Sequence, residues 1–174
     1  MIYIHCMSEP EVWLRGPVPG YDPMVLPVVH SLLQVREDLM RLQAMVAPSS
    51  LWARPGGAAS IGFHVRHTGG ALDRLLTYAR GETLNDAQRA FLAHEEMPGA
   101  PAPDLASLVA EANHTIARSL DQLRTTDPHR LLDERRVGRA GLPSTVLGLL
   151  VHAAEHSTRH LGQALTTARI LGGA

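Results

Sequence analysis

The stretch HAAEHSTRHLGQ, His152–Gln163, carries three histidines four residues apart. At about 100° per residue, each step of four advances about 40° around a helix, so the three rings form a slowly drifting stripe. Val146, Leu149, Leu150, Ala153, Ser157, Ala164, Ala168 and Leu171 define the inward face of that helix. His160 falls near the middle of this face, His156 at its margin and His152 further out. Such a stripe either holds a metal ion or lines a core margin with hydrogen-bonded rings. Residues four apart can ligate one ion, and the His156/His160 pair points inward better than His152/His156.

A catalytic zinc usually takes three protein ligands and leaves a fourth position for water, so a third donor must come from elsewhere. GFHVRHTGG, Gly62–Gly70, offers His64 and His67. Ile61, Val65, Thr68, Leu72 and Leu75 centre a face nearer His64, but by a margin no larger than the uncertainty in that centre. Spacing alone leaves both open. His5, His30, His94, His114 and His129 are isolated and receive no role.

HAAEH, His152–His156, also matches the H-x-x-E-H pattern of inverted zinc proteases, with Glu155 as general base. That site needs a further acidic ligand, and no Asp or Glu follows His156. The chain has no HExxH, no glycine-rich phosphate loop and no GxSxG elbow, and Cys6 beside His5 lacks a supporting constellation.

Composition narrows the class. The 174 residues suffice for one domain, expected to span 1–174, and 45% of them are apolar against 19% charged. The formal net charge is −1, and all sixteen cations are Arg. No basic field is available for nucleic acid or an anionic membrane. One cysteine excludes an internal disulfide and fits a reducing compartment. The opening MIYIHCMSEPE has no basic n-region, and no apolar run reaches membrane-spanning length, so a soluble cytoplasmic protein is expected.

Ala, Leu, Arg and Gln dominate the periodic stretches, whereas aromatics are only 4%. SEPE, Ser8–Glu11, reads as a capping box opening a short turn. Asp22 with Pro23 or Pro27 then opens a helix through Ala47, with Val28, Leu32, Val35, Leu39 and Leu42 on its apolar face. A second helix is expected from Ala58 to Ala79, stopped by Gly81. NDAQ caps a shorter one over Asn85–His94, and MPGAPAP, Met97–Pro103, is a linker. A third long helix runs from Asp104 to Arg124. The segment 127–143 is irregular, with room for a short extended piece, and Pro143 starts the fourth long helix, ending near Leu171. Four long helices without a sheet predict an all-α fold, a four-helix bundle.

WARPGGAASIGFHVRHTGGALDRLLTYARGE, Trp52–Glu82, together with LPSTVLGLLVHAAEHSTRHLGQALTTARILG, Leu142–Gly172, resembles the DinB-like (DinB/YfiT) superfamily. The similarity covers most of the chain, EVWLRGP at Glu11–Pro17 included. The resemblance implies an up-down-down-up four-helix bundle, commonly a homodimer, with a divalent metal held by three histidines. By that match the ligands are His67, His156 and His160, followed by Gly162 and Gln163, with His64 and His152 as neighbours and secondary candidates. Leu161 departs from the pattern, since many members carry a basic residue or another His there.

Three neutral imidazoles leave an ion its full charge, so the expected chemistry is activation of water for hydrolysis or of a thiol as nucleophile. Relatives in this superfamily include S-transferases and isomerases that use low-molecular-weight thiols. The resemblance thus implies thiol transfer to a small electrophilic substrate. The alternatives are a metal-dependent hydrolase and a non-catalytic, metal-stabilised module for binding or dimerisation. Glu155, Asp73 and Gln163 are the candidate acid/base or orienting groups, although Asp73 and Arg74 fit better as an exterior pair and Glu155 fits better on the surface. Arg66 and Arg159 are candidates for a substrate carboxylate. Zinc and nickel are the leading ions, with iron and manganese also compatible with three His donors.

Overall fold

The computed structural model describes residues 9–172. SEPE begins at Ser8, outside these residues, as do His5 and Cys6; within them a 3-10 turn forms at Val12–Leu14.

The first helix, α1, spans Leu26–Gln43 with Pro27 in its first turn, where a missing N–H costs nothing. It stops short of the expected Ala47. Pro48 forces Ala47 into extended backbone (ψ 142°), and the last carbonyls are closed by the amides of Ala44 and Met45. The second helix, α2, spans Ile61–Ala79 and starts three residues later than expected. Ala58 is extended, and Ser60 is the cap, its Oγ accepting from the Phe63 amide at 3.1 Å. A short helix, α3, covers Asp86–His94 behind a reciprocal capping box between Asn85 and Gln88. The next, α4, spans Leu105–Arg124 with Asp104 accepting from the Ser107 amide.

The short extended piece allowed for within 127–143 proves to be two paired strands, which corrects the expectation of a fold without a sheet, and Pro143 does not open the last helix. Glu134–Val137 (β1) and Leu142–Thr145 (β2) form an antiparallel hairpin in which Pro143 faces Arg136. Gly138 and Gly141 supply the positive φ angles of the turn. A two-stranded sheet has only edge strands, which is where a residue without an N–H is tolerated. The last helix, α5, therefore begins at Val146 and runs to Gly172, with Thr145 Oγ1 accepting from the Gly148 amide. Arg135 reaches from β1 to the Ala79 carbonyl at 2.8 Å, tying the hairpin to the end of α2.

The architecture is mostly helical with this one small sheet. Helix α2 packs on α5 and α4, and α1 packs on the same two. Residues His64 and His67 meet His160 and His156, so α2 and α5 run antiparallel. Asp73 meets Arg118 and Leu76 meets Gln122, so α2 and α4 run parallel. One core joins them. Leu32, Leu39, Leu72, Ile116 and Leu150 are fully buried within it, each contributing about 1.5–3 kcal/mol of transfer free energy. All five positions expected on the apolar face of α1 are buried.

Candidate metal centre

The site sits where α2 crosses α5. On α5 Ala153, Ser157, Leu161 and Ala164 are buried and His156 lies half-buried at the margin, as the periodicity requires, whereas His160, expected near the middle of the inward face, is also only half-buried. His152 is exposed. On α2, His64 is buried and His67 half-buried.

His67, His156 and His160 each offer one ring nitrogen, and these atoms all lie within 4.8 Å of one another. Donors placed tetrahedrally at about 2.1 Å from a zinc ion would be about 3.4 Å apart, a spacing comparable with that of this cluster. His67 Nε2 and His156 Nε2 are already 2.9 Å apart. The other nitrogen of each ring has its own partner. His67 Nδ1 lies 2.7 Å from Glu95 Oε1, His160 Nδ1 lies 3.0 Å from His64 Nδ1, and His156 Nδ1 accepts from Arg159 at 2.9 Å. The Nε2 atoms of His67 and His156 therefore face each other inside the cluster. The Phe63 ring stacks on His67, with centroids 5.1 Å apart, and turns its edge to His64 and His160.

Electrostatics favour neutral rings at His156 and His160. Burial, the neighbouring histidines and Arg159 hold His160 down at about 3. Burial, His67 and Arg159 likewise hold His156 at about 4. Neutral imidazole is the form that ligates metal. Burial, with His67 nearby, pushes His64 below its ordinary value as well. One contact opposes ligation: a His156 bound through Nε2 carries its proton on Nδ1, where Arg159 now donates. Arg159 also pairs with Glu155 at 3.0 Å and can retain that bond while releasing the ring.

The remaining candidates offer no atom to the cluster. His64 stands behind His160 rather than facing the shared nitrogens. His152 and Glu155 are exposed and 3.5 Å apart, which leaves the H-x-x-E-H reading without its second histidine ligand or its base. Gln163 is exposed and Leu161 is buried in the core, away from solvent. Asp73 and Arg74 do not form the exterior pair that was one expectation. Asp73 accepts from Gln88 at 2.6 Å and from Arg118 at 3.1 Å, whereas Arg74 is buried and forks onto Glu95 at 3.0 and 3.2 Å. The two adjacent residues point about 100° apart, toward different neighbours. Arg66 donates to the Met97 carbonyl at 2.6 Å and lies over the Phe91 ring.

Sequence reasoning missed Glu95. Burial would raise its carboxyl, but hydrogen bonds from His67 and Arg74 and the Arg74 charge bring it below the usual carboxylate range. It follows α3, a helix with no buried residue of its own, so no apolar periodicity marked the position as internal.

A cavity of about 420 Å³ lies between α2, α3 and α4, bordered by Asp73, Arg74, Gln88, Phe91, Glu111 and Arg118 among others. None of the three clustered histidines lines it. No helix among the described residues is long and apolar enough to cross a membrane.

No curated protein matches the chain. The sequence model of the DinB superfamily matches residues 31–164, which hold α2, α4 and all three clustered histidines, and the chain belongs to that superfamily.

Proposed function

We propose that His67, His156 and His160 hold one divalent ion between α2 and α5, and that the chain is a metal-dependent enzyme. The observation that carries this reading is the convergence of three imidazole nitrogens within 4.8 Å, with no carboxylate among them. A donor set of neutral rings leaves the charge of an ion uncompensated, and zinc or nickel suits it best. When bound, such an ion supplies Lewis acidity that activates a water or a thiol. The chain's own residues orient the donors: His64 engages the ring of His160 from behind, and Phe63 covers one face of His67. Transfer of a low-molecular-weight thiol to a small electrophile is the activity we favour, with hydrolysis as the alternative.

The proposal extends to architecture. The packing of α1, α2, α4 and α5 on one another, with α2 parallel to α4 and antiparallel to α5, supports an up-down-down-up four-helix bundle. We take residues 1–174 as a single domain, acting in the cytoplasm as a homodimer.

A second reading has its own support. The cavity between α2, α3 and α4 is not lined by the clustered histidines, which fits a metal that only ties α2 to α5 in a non-catalytic binding module. Elemental analysis of untagged protein tests the shared premise. About one zinc or nickel per chain is expected, lost in His67→Ala, His156→Ala and His160→Ala and kept in His152→Ala. A wild-type protein that takes up no ion when zinc or nickel is supplied would sink both readings. Screening the loaded protein with thiols and electrophiles then separates enzyme from module.

A further inference from the structure

Of residues 80–104, which connect α2 to α4, Glu95 alone is buried, at 4% exposure. A connection that buries one side chain ordinarily buries an apolar one, because a desolvated carboxylate is costly unless charge and hydrogen bonds compensate it. Here Arg74 supplies the charge. An ion pair with Arg74 would be complete without His67, yet the shortest bond of Glu95 runs from Oε1 to His67 Nδ1, at 2.7 Å against 3.0 and 3.2 Å to Arg74. A carboxylate only accepts, so Nδ1 must carry the proton and, in the neutral ring, the lone pair is on Nε2. That atom faces His156 Nε2 at 2.9 Å, inside the cluster.

We propose that Glu95 is a positioning residue: it fixes the Nδ1–H tautomer and the ring orientation of His67, with Arg74 holding the carboxylate in place. The proposal deepens the metal-site reading above and rests on it. A histidine donating its free N–H to a carboxylate is a recurrent support for metal ligation, and losing the carboxylate costs about 10–100-fold in ion affinity. It also gives the otherwise exposed α3 segment a task, which is to deliver one oxygen to the back of the α2 ligand.

Removing Glu95 alone would strand the Arg74 charge, so the test replaces both. Arg74→Met with Glu95→Gln keeps an oxygen acceptor for His67; Arg74→Met with Glu95→Leu removes it. Two readouts are taken at alkaline pH. Ring ¹⁵N shifts of His67 are measured in metal-free protein, and zinc affinity is measured by competition with a chromophoric chelator. The Gln variant is expected to keep the Nδ1–H tautomer and to bind zinc within a few-fold of wild type. The Leu variant should mix tautomers and bind about 10–100-fold more weakly, with similar thermal unfolding in both. Equal affinities and equal tautomers in the two variants would overturn the proposal and leave Glu95 as an anchor for α3. A wild type that binds no zinc would refute the metal reading instead, and the metal-free tautomer comparison would still decide the role of Glu95.

Discussion

The Nε2 atoms of His67 and His156 lie 2.9 Å apart although 89 residues separate them in the chain. Only the antiparallel packing of α2 against α5 brings them together. The same crossing places His160 beside both, with ring centroids 4.4 and 4.5 Å away.

The hydrogen bond from Arg159 opposes ligation at His156. Arg159→Met should therefore strengthen zinc binding. Its side chain is half exposed, which limits the gain to about 1 kcal/mol, or about five-fold in dissociation constant. Competition titration of the variant beside wild type checks this, and weaker binding would mean that Arg159 supports the site.

Acid should destabilise the metal-free protein. The ordinary imidazole value is 6.5, whereas His156 and His160 are held at about 4 and about 3 in the folded chain. Between those limits the unfolded chain binds more protons than the native one. Stability is thus complete above about pH 6.5 and falls as pH drops toward 4 and 3. His64 shifts in the same direction and adds to the slope. Melting temperature in chelator, followed from neutral to mildly acid pH, should decline in wild type and decline less in His156→Gln with His160→Gln. Parallel curves would contradict the assignment.

Gly62 lies under the Trp52 ring, where an added Cβ would meet three ring carbons at 2.8–2.9 Å. Trp52 cannot yield freely, because its indole N–H donates to the Pro103 carbonyl at 3.3 Å. Gly62→Ala gains about 1 kcal/mol of helix propensity. Overpacking costs about 1–3 kcal/mol, so a net loss is expected. Urea unfolding with tryptophan fluorescence reads both the stability and the displaced ring. A stabilised variant would show that Trp52 is free to move.

Asp73 was a candidate for acid or base chemistry, but its oxygens are taken by Gln88 and Arg118, away from the histidines. Asp73→Asn should leave zinc stoichiometry and affinity unchanged and cost about 1 kcal/mol or less, as for a partly exposed pair. A lost metal site would reopen the catalytic assignment.

The local features were readable because local rules produce them. The cap at Asn85 follows from a side-chain oxygen three residues ahead of a free amide. The burial of Val28, Leu32, Val35, Leu39 and Leu42 follows from a period of 3.6. Pro143 was misread for an equally local reason: a proline fits the first turn of a helix and an edge strand alike, and only the pairing of residues 134–137 with 142–145 distinguishes them.

The sequence by itself determined that the chain is helical and that His156 and His160 lie on or beside the inward face of one helix, since both depend on neighbours within a few residues. It did not choose His67 over His64 by spacing; the resemblance to the superfamily pointed to His67. Packing brings His67 to both α5 rings and sets His64 behind His160. Tertiary structure alone decided that Arg74 turns inward and that Glu95 is buried behind His67. A lone buried carboxylate leaves no periodic trace, because the partners that compensate its charge come from another helix.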